Sequence, residues 1–225
     1  ETAIKFVTRF RAENRPDKAT AIVKLCYVID LASAIAGVAL IWLLASWAAA
    51  LFVQDPGKAG LIRIYALSIL FAAPAGTSSA LLRVAGRFRW LAARDVISAL
   101  LRTAAVIVVL LLGYGVAGLI WVYVVAALFD TSLVLALLRP VYPTLGLQSL
   151  RATPLRTVGK DFRPVLNYLA WSNVNVLLKM AQAHLGTLLA GAWLGPAAAG
   201  YLRLARRLTD LMIVPAAPVA NSTNS

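Results

Sequence analysis

Three arginines and an aspartate, Arg203, Arg206, Arg207 and Asp210, stand three, one and three residues apart near the end of the chain. At helical spacing they share one face. A guanidinium suits phosphate because its planar fork donates two hydrogen bonds at once. Two readings are open. The stripe lines a water-filled cavity and holds a diphosphate, or the helix lies at a membrane interface with its arginines snorkelling to headgroups. In either case Asp210 can neutralise Arg206 four residues away.

An ionisable side chain inside an apolar segment is expensive and asks for a partner or a role. Lys179 lies sixteen residues beyond Arg163, ~24 Å along a helix, too far to snorkel back. Asn173, Asn175, Gln182 and His184 share its segment, which therefore lines something wet. A lone histidine such as His184 is more often a hydrogen-bonded packing residue, although its ordinary range would suit proton coupling. Trp171, beside Asn173, is a candidate for stacking on a sugar, with Asn173 and Asn175 as further sugar contacts.

Arg102 and Asp130 fall in consecutive apolar segments at depths that match within a turn. They form a structural ion pair, or Asp130 is the proton or sodium ligand of a coupling site. Asp30 sits near one end of its segment, where interfacial solvation would suffice. Pro74-Ala75-Gly76-Thr77-Ser78-Ser79 interrupts another segment. Proline frees a carbonyl that nearby hydroxyls can satisfy, giving a kink that is either static or a flexing point. Most of the tryptophans lie near segment ends, as interfacial anchors do. Cys26, the only cysteine, reads as a small apolar residue.

The elements that must position these residues are membrane spans. Of 225 residues 61% are hydrophobic and 14% charged, against about 25% charged in a soluble domain, and mean hydropathy is +0.80. Continuous apolar runs, rather than alternation, favour helices over a barrel. The pattern predicts an all-α integral membrane bundle with about six spans, near 25–53, 64–82, 95–112, 116–138, 164–193 and 197–220. Gly113-Tyr114-Gly115 splits the uncharged stretch between the third and fourth. The beginning at Glu1 and the abrupt end after Ala220 suggest a piece of a longer chain.

The formal net charge of +13 would suggest nucleic acid in a soluble protein. Here the basic residues sit between apolar runs and report topology, with no nucleic acid as partner. Segments 1–24, 83–94 and 139–163 hold fifteen lysines and arginines, whereas the opposite loops hold Lys58 and Arg63. The positive-inside rule places the basic side in the cytoplasm. The segment 139–163, with Pro140, Pro143, Pro154, Gly146 and Gly159, divides the chain. Residues 1–138 form the end of an N-terminal lobe, 139–163 an inter-lobe linker, and 164–225 the start of a C-terminal lobe.

Two stretches carry a family resemblance. Leu81-Leu82-Arg83-Val84-Ala85-Gly86-Arg87-Phe88-Arg89-Trp90 is similar to a basic cytoplasmic turn between two spans. Leu194-Gly195-Pro196-Ala197-Ala198-Ala199-Gly200-Tyr201, continued by Leu202-Arg203-Leu204-Ala205-Arg206-Arg207-Leu208, is similar to a Gly-rich turn leading into a basic helix. Both resemble the polysaccharide (O-antigen-type) flippases of the multidrug/oligosaccharidyl-lipid/polysaccharide exporter superfamily. The resemblance covers nearly the whole chain as spans three to eight of a 12–14-helix two-lobe transporter. Lipid II flippases resemble it too, through an Ala-Asp-Arg-Leu element that aligns with Ala205, Arg206, Arg207 and Leu208. This match implies a cavity role for Arg207, while Arg206 stands where that family has an acid.

The resemblance implies export of an undecaprenyl-diphosphate-linked oligosaccharide by alternating access, with membrane lipid around it and H+ or Na+ as coupling ion. It also implies a place beside polysaccharide polymerase and glycosyltransferase machinery in the bacterial inner membrane. A cation-coupled multidrug antiporter of the same superfamily is the alternative, though the basic stripe suits anionic cargo. A membrane glycosyltransferase or acyltransferase fits less well. Glu13, Asp17, Asp95 and Asp161 are scattered, and one histidine and one cysteine exclude most metal sites and histidine-based nucleophile arrangements. No metal, cofactor or catalytic residue is therefore expected.

Overall fold

The computed structural model describes residues 2–150, 153, 154, 157, 159 and 162–213, without the side chains of 2–3, 169–170, 172–173, 176–177, 196 and 208–213. It is 88% helical, with no strand among the described residues. Among the described residues seven α-helices follow in order: α1 (Thr2–Ala12), α2 (Pro16–Ala48), α3 (Ala59–Val84), α4 (Phe88–Leu111), α5 (Gly115–Leu138), α6 (Phe162–Leu194) and α7 (Pro196–Ile213). A π turn, Ala49–Val53, ends α2, and short 3-10 turns occupy Pro56–Lys58 and Pro143–Leu145.

The predicted helical bundle is present, and its boundaries differ where charge hides a helix from an apolar-run reading. α2 starts at Pro16, not near 25. Proline suits a first helical position, and Asp17 in the first turn meets the positive end of the helix dipole. Its first turns bury Ala19, Ile22 and Val23 between the basic residues. The segment before it, taken from composition as a basic stretch, folds as α1. Phe6, Val7 and Phe10 form the buried face of α1. α5 matches 116–138 closely. α7 starts beside Ala197, and its expected run from 214 to Ala220 lies outside the described residues.

Tight turns explain the helix ends. Gly113 and Gly115 both have positive φ, +74° and +60°, which an L-residue adopts at a cost. They reverse the chain between α4 and α5, which pack antiparallel on each other. Pro74 lies inside α3. Ser78 Oγ donates to the Pro74 carbonyl at 2.7 Å, a serine back-bond to the carbonyl four residues earlier; the carbonyl freed by the missing Pro74 N–H is that of Leu70.

By length and composition, Pro16–Val53, Pro56–Val84 and Gly115–Leu138 can cross a membrane. α4 is as long as α5 but carries Arg94, Asp95 and Arg102. The distribution of burial supports the same solvent. The core gathers at the basic end of the helices: Phe6 and Phe10 of α1, Ile22 and Val23 of α2, Leu81 and Leu82 of α3, Val134 and Leu138 of α5, then Val141, Leu145 and Val165. Elsewhere the helices expose large apolar side chains, among them Leu43, Leu100, Leu111 and Leu128. In water such surface would drive association; in lipid it costs nothing.

The chain divides into two compact units. The first comprises residues 1–45 and 60–174, and the second residues 46–59 and 175–225. In the first unit α2 and α3 run antiparallel, joined by contacts of Tyr27 with Ser78, Asp30 with Thr77 and Trp42 with the Arg63 carbonyl. In the second, the end of α6 and α7 form a hairpin around Gly195, whose φ is +87°.

Candidate functional site

In the first unit, polar side chains form a seam inside otherwise apolar helices. Thr77 Oγ1 donates to Asp30 Oδ2 at 2.6 Å. One residue on, Ser78 Oγ is 2.7 Å from the Tyr27 hydroxyl. Asp30 therefore has a hydroxyl partner on α3 rather than relying on interfacial solvation. The same Pro74–Ser79 stretch that frees a backbone carbonyl also supplies this partner. Composition marked the stretch as a kink; that its hydroxyls face Tyr27 and Asp30 depends on the antiparallel register of α2 and α3.

Deeper between α4 and α5, Arg102 Nη2 donates to Asp130 Oδ2 at 2.5 Å. Asp130 keeps 14% of its side chain exposed. Next to the pair, Arg94 Nη1 bonds Asp95 Oδ1 at 2.9 Å. Arg94 Nε, Arg102 Nε, Ser98 Oγ and Thr131 Oγ1 are buried with no hydrogen-bond partner. A polar cavity of about 350 Å³ is lined by Arg94, Ser98, Arg102 and Asp130. An apolar groove of about 600 Å³ continues from it along α4 and α5, past Val109, Trp121 and Phe129. Ser98 and Thr131 escaped the sequence reading because a single hydroxyl in an apolar run is a common packing residue. Their i+4 and i+1 relation to Arg102 and Asp130 was the available signal.

In the second unit, Arg203, Arg206 and Arg207 are exposed on α7. Arg206 Nη1 donates to the Ala183 carbonyl of α6. Gly186 makes room for it: a Cβ there would meet Arg206 Nη2 at 2.7 Å and Leu202 Cδ2 at 4.0 Å. The small residue thus lets the guanidinium lie against the α6 backbone. Lys179, His184 and Asn175 are exposed on α6. The Asp210 side chain lies outside the described residues, as does that of Asn173. Trp171, 64% exposed, belongs with Asn173 to the first unit, whereas Asn175, Lys179 and the three arginines belong to the second.

No group of three or more histidine, cysteine or acidic side chains could hold a metal ion among the described residues. Cys26 is buried. Outside the spans, Tyr142 donates its hydroxyl to the Gln148 carbonyl at 2.9 Å. Burial pushes its phenol above the ordinary value, which keeps that donor protonated.

Long apolar helices and lipid-suited surface, with Asp30 and the Arg102–Asp130 pair held in polar seams, define a polytopic α-helical membrane protein. Residues 13–222 match the family described as polysaccharide biosynthesis protein. The match covers most of the chain, which therefore belongs to the polysaccharide biosynthesis protein family, in agreement with the flippase-type resemblance of its turns. No curated protein matches the chain, and no solved structure does.

Proposed function

We propose that the chain is part of a flippase that moves an undecaprenyl-diphosphate-linked oligosaccharide across the bacterial inner membrane, for O-antigen, lipopolysaccharide or related polysaccharide synthesis. The observation that carries this reading is the exposed arginine face of α7 in a member of a polysaccharide biosynthesis family. Arg203 and Arg207 offer forked donors to the diphosphate. Arg206, held by the Ala183 carbonyl, positions that face against α6. The lipid tail stays in the bilayer while two lobes, joined through 139–163, alternate access around the arginines. Lys179 adds positive charge to the cavity, and Trp171, Asn173 and Asn175 contact sugar. Cation coupling would use Asp130, with Arg102 as the group it releases; Asp30 and Asp210 are secondary candidates. The protein performs no bond-making chemistry in this reading, and works beside glycosyltransferases and a polymerase.

The test uses the full-length protein in its host. Arg207→Ala, expressed at the wild-type level, is expected to lower surface polysaccharide by tenfold or more and to trap lipid-linked precursor on the cytoplasmic face. Unchanged polymer without precursor build-up removes the cavity role of Arg207. If deletion of the gene also changes nothing, the multidrug antiporter reading takes its place.

A further inference from the structure

A cavity of about 730 Å³ opens in the first unit where α2, α5 and the segment after α5 meet, far along the helices from the α4–α5 turn. Its lining includes Lys24 and Arg139, with no carboxylate among the described residues. Lys24 Nζ donates to the Thr153 carbonyl at 2.9 Å, a neutral partner, and among the described residues no carboxylate pairs with it; an ammonium has two further donors. Arg139 is exposed and makes no ion pair among the described residues. Two cations facing one space repel each other unless an anion joins them.

The remaining wall is apolar. Val28 and Leu135 are 46% and 38% exposed. Each lies one turn further into its helix than the cation, Val28 beyond Lys24 on α2 and Leu135 before Arg139 on α5. The cations stand just outside the apolar stretches of their helices, at the level of lipid phosphate, and the apolar wall leads inward. This polarity is that of a lipid, with its charge outward and its chain inward. A soluble phosphate would have no use for the wall.

The site is also built. The Gln148 backbone N–H donates to Thr20 Oγ1 at 2.8 Å, and Tyr142 donates to the Gln148 carbonyl at 2.9 Å. Val141 and Leu145 are buried in the core beneath. The segment after α5 is therefore fastened onto α2, and the cavity exists before a ligand arrives.

We propose that this cavity is a binding site for an anionic phospholipid of the cytoplasmic leaflet, its phosphate held by Lys24 and Arg139 and one acyl chain lying along Val28 and Leu135. Basic pockets between spans on the cytoplasmic side have this use in general, and the positive-inside rule places this end there. The bound lipid stabilises the junction of α2, α5 and the following segment without taking part in transport.

The experiment uses purified full-length protein in neutral detergent, titrated with phosphatidylglycerol or phosphatidylcholine. Retained lipid is counted by native mass spectrometry and thermal melting is followed in parallel. Phosphatidylglycerol is expected to bind at least tenfold more tightly than phosphatidylcholine and to raise the melting temperature. Arg139→Gln should weaken it about fivefold, Lys24→Gln with Arg139→Gln roughly twenty-fivefold, and Arg139→Lys hardly at all. Arg139 is exposed, so Arg139→Gln and Arg139→Glu decide the question even if loss of the Lys24–Thr153 bond impairs folding. Equal binding of both lipids, or binding unaltered by these variants, overturns the proposal. So does a polyprenyl diphosphate that binds here when phosphatidylglycerol does not, an outcome that assigns the cavity to cargo.

Discussion

The Arg102 guanidinium on α4 donates to the Asp130 carboxylate on α5 at 2.5 Å, which fastens two antiparallel helices to each other. The pair joins residues on either side of the Gly113–Gly115 turn, so it fixes the axial register of the hairpin as well as its charge balance. Removing Asp130 leaves the Arg102 charge without its partner, a larger loss than removing both but smaller than in a fully buried pair, because the Arg102 side chain is 41% exposed. Asp130→Asn is expected to destabilise the full-length protein in detergent by about 2 kcal/mol. The double variant Arg102→Leu/Asp130→Leu should recover most of that loss. A double variant as unstable as the two single losses combined would show that the pair is not coupled. A stable Asp130→Asn protein that no longer transports would move the residue from structure to ion coupling.

Beside this pair Ser98 and Thr131 hold hydroxyls without partners, although the residues are only 7% and 5% exposed. An orphaned hydroxyl in a low-dielectric site is a cost that an apolar replacement of similar shape removes. Ser98→Ala and Thr131→Val are therefore expected to leave stability unchanged or raise it by up to about 1 kcal/mol. Thermal unfolding of the purified protein checks this. A loss of more than that amount in either variant would show that the hydroxyl is engaged in the native membrane.

The seam between α2 and α3 gives the opposite expectation. Thr77 supplies the hydrogen that the Asp30 carboxylate accepts at 2.6 Å. Thr77→Val keeps the shape and removes the donor, which should destabilise by about 1–3 kcal/mol. Thr77→Ser restores the hydroxyl and most of the stability. Melting curves of the two variants that coincide would sever Asp30 from α3.

How far these relations were legible in the chain follows from which physics each one obeys. The helices show in the apolar runs, and α5 shows nearly to the residue because no charge falls within it before Asp130. α2 shows only from its uncharged part, because Lys18 and Lys24 interrupt apolarity without interrupting a helix. α1 is hidden for the same reason: Lys5, Arg9 and Arg11 alternate with the Phe6, Val7 and Phe10 it buries. The proximity of Arg102 and Asp130 can be read from residue counts to the basic flanks, since antiparallel spans share a depth scale. The meeting of Asp30 with Thr77, and of Arg206 with Ala183, cannot. Both depend on the rotation of one helix against another, which mostly apolar helix surfaces do not encode in spacing alone.

That rotation gives the α6–α7 hairpin its own test. Arg206 reaches the Ala183 carbonyl because position 186 lacks a side chain, and a Cβ there would stand 2.7 Å from its Nη2. The clash falls on the end of a flexible side chain, so the hairpin itself can remain while the guanidinium moves off α6. Alanine also favours a helix over glycine by roughly 1 kcal/mol. Gly186→Ala should thus keep or slightly raise the melting temperature of the full-length protein. If the arginine face of α7 works as placed, the same variant should lower surface polysaccharide and accumulate precursor as Arg206→Ala does, by severalfold. Stability and export would then move in opposite directions, a pattern that a purely structural role for Arg206 does not produce. Export at the wild-type level from both variants would leave Arg206 as a fastening of α7 to α6 and confine the cargo contact to Arg203 and Arg207.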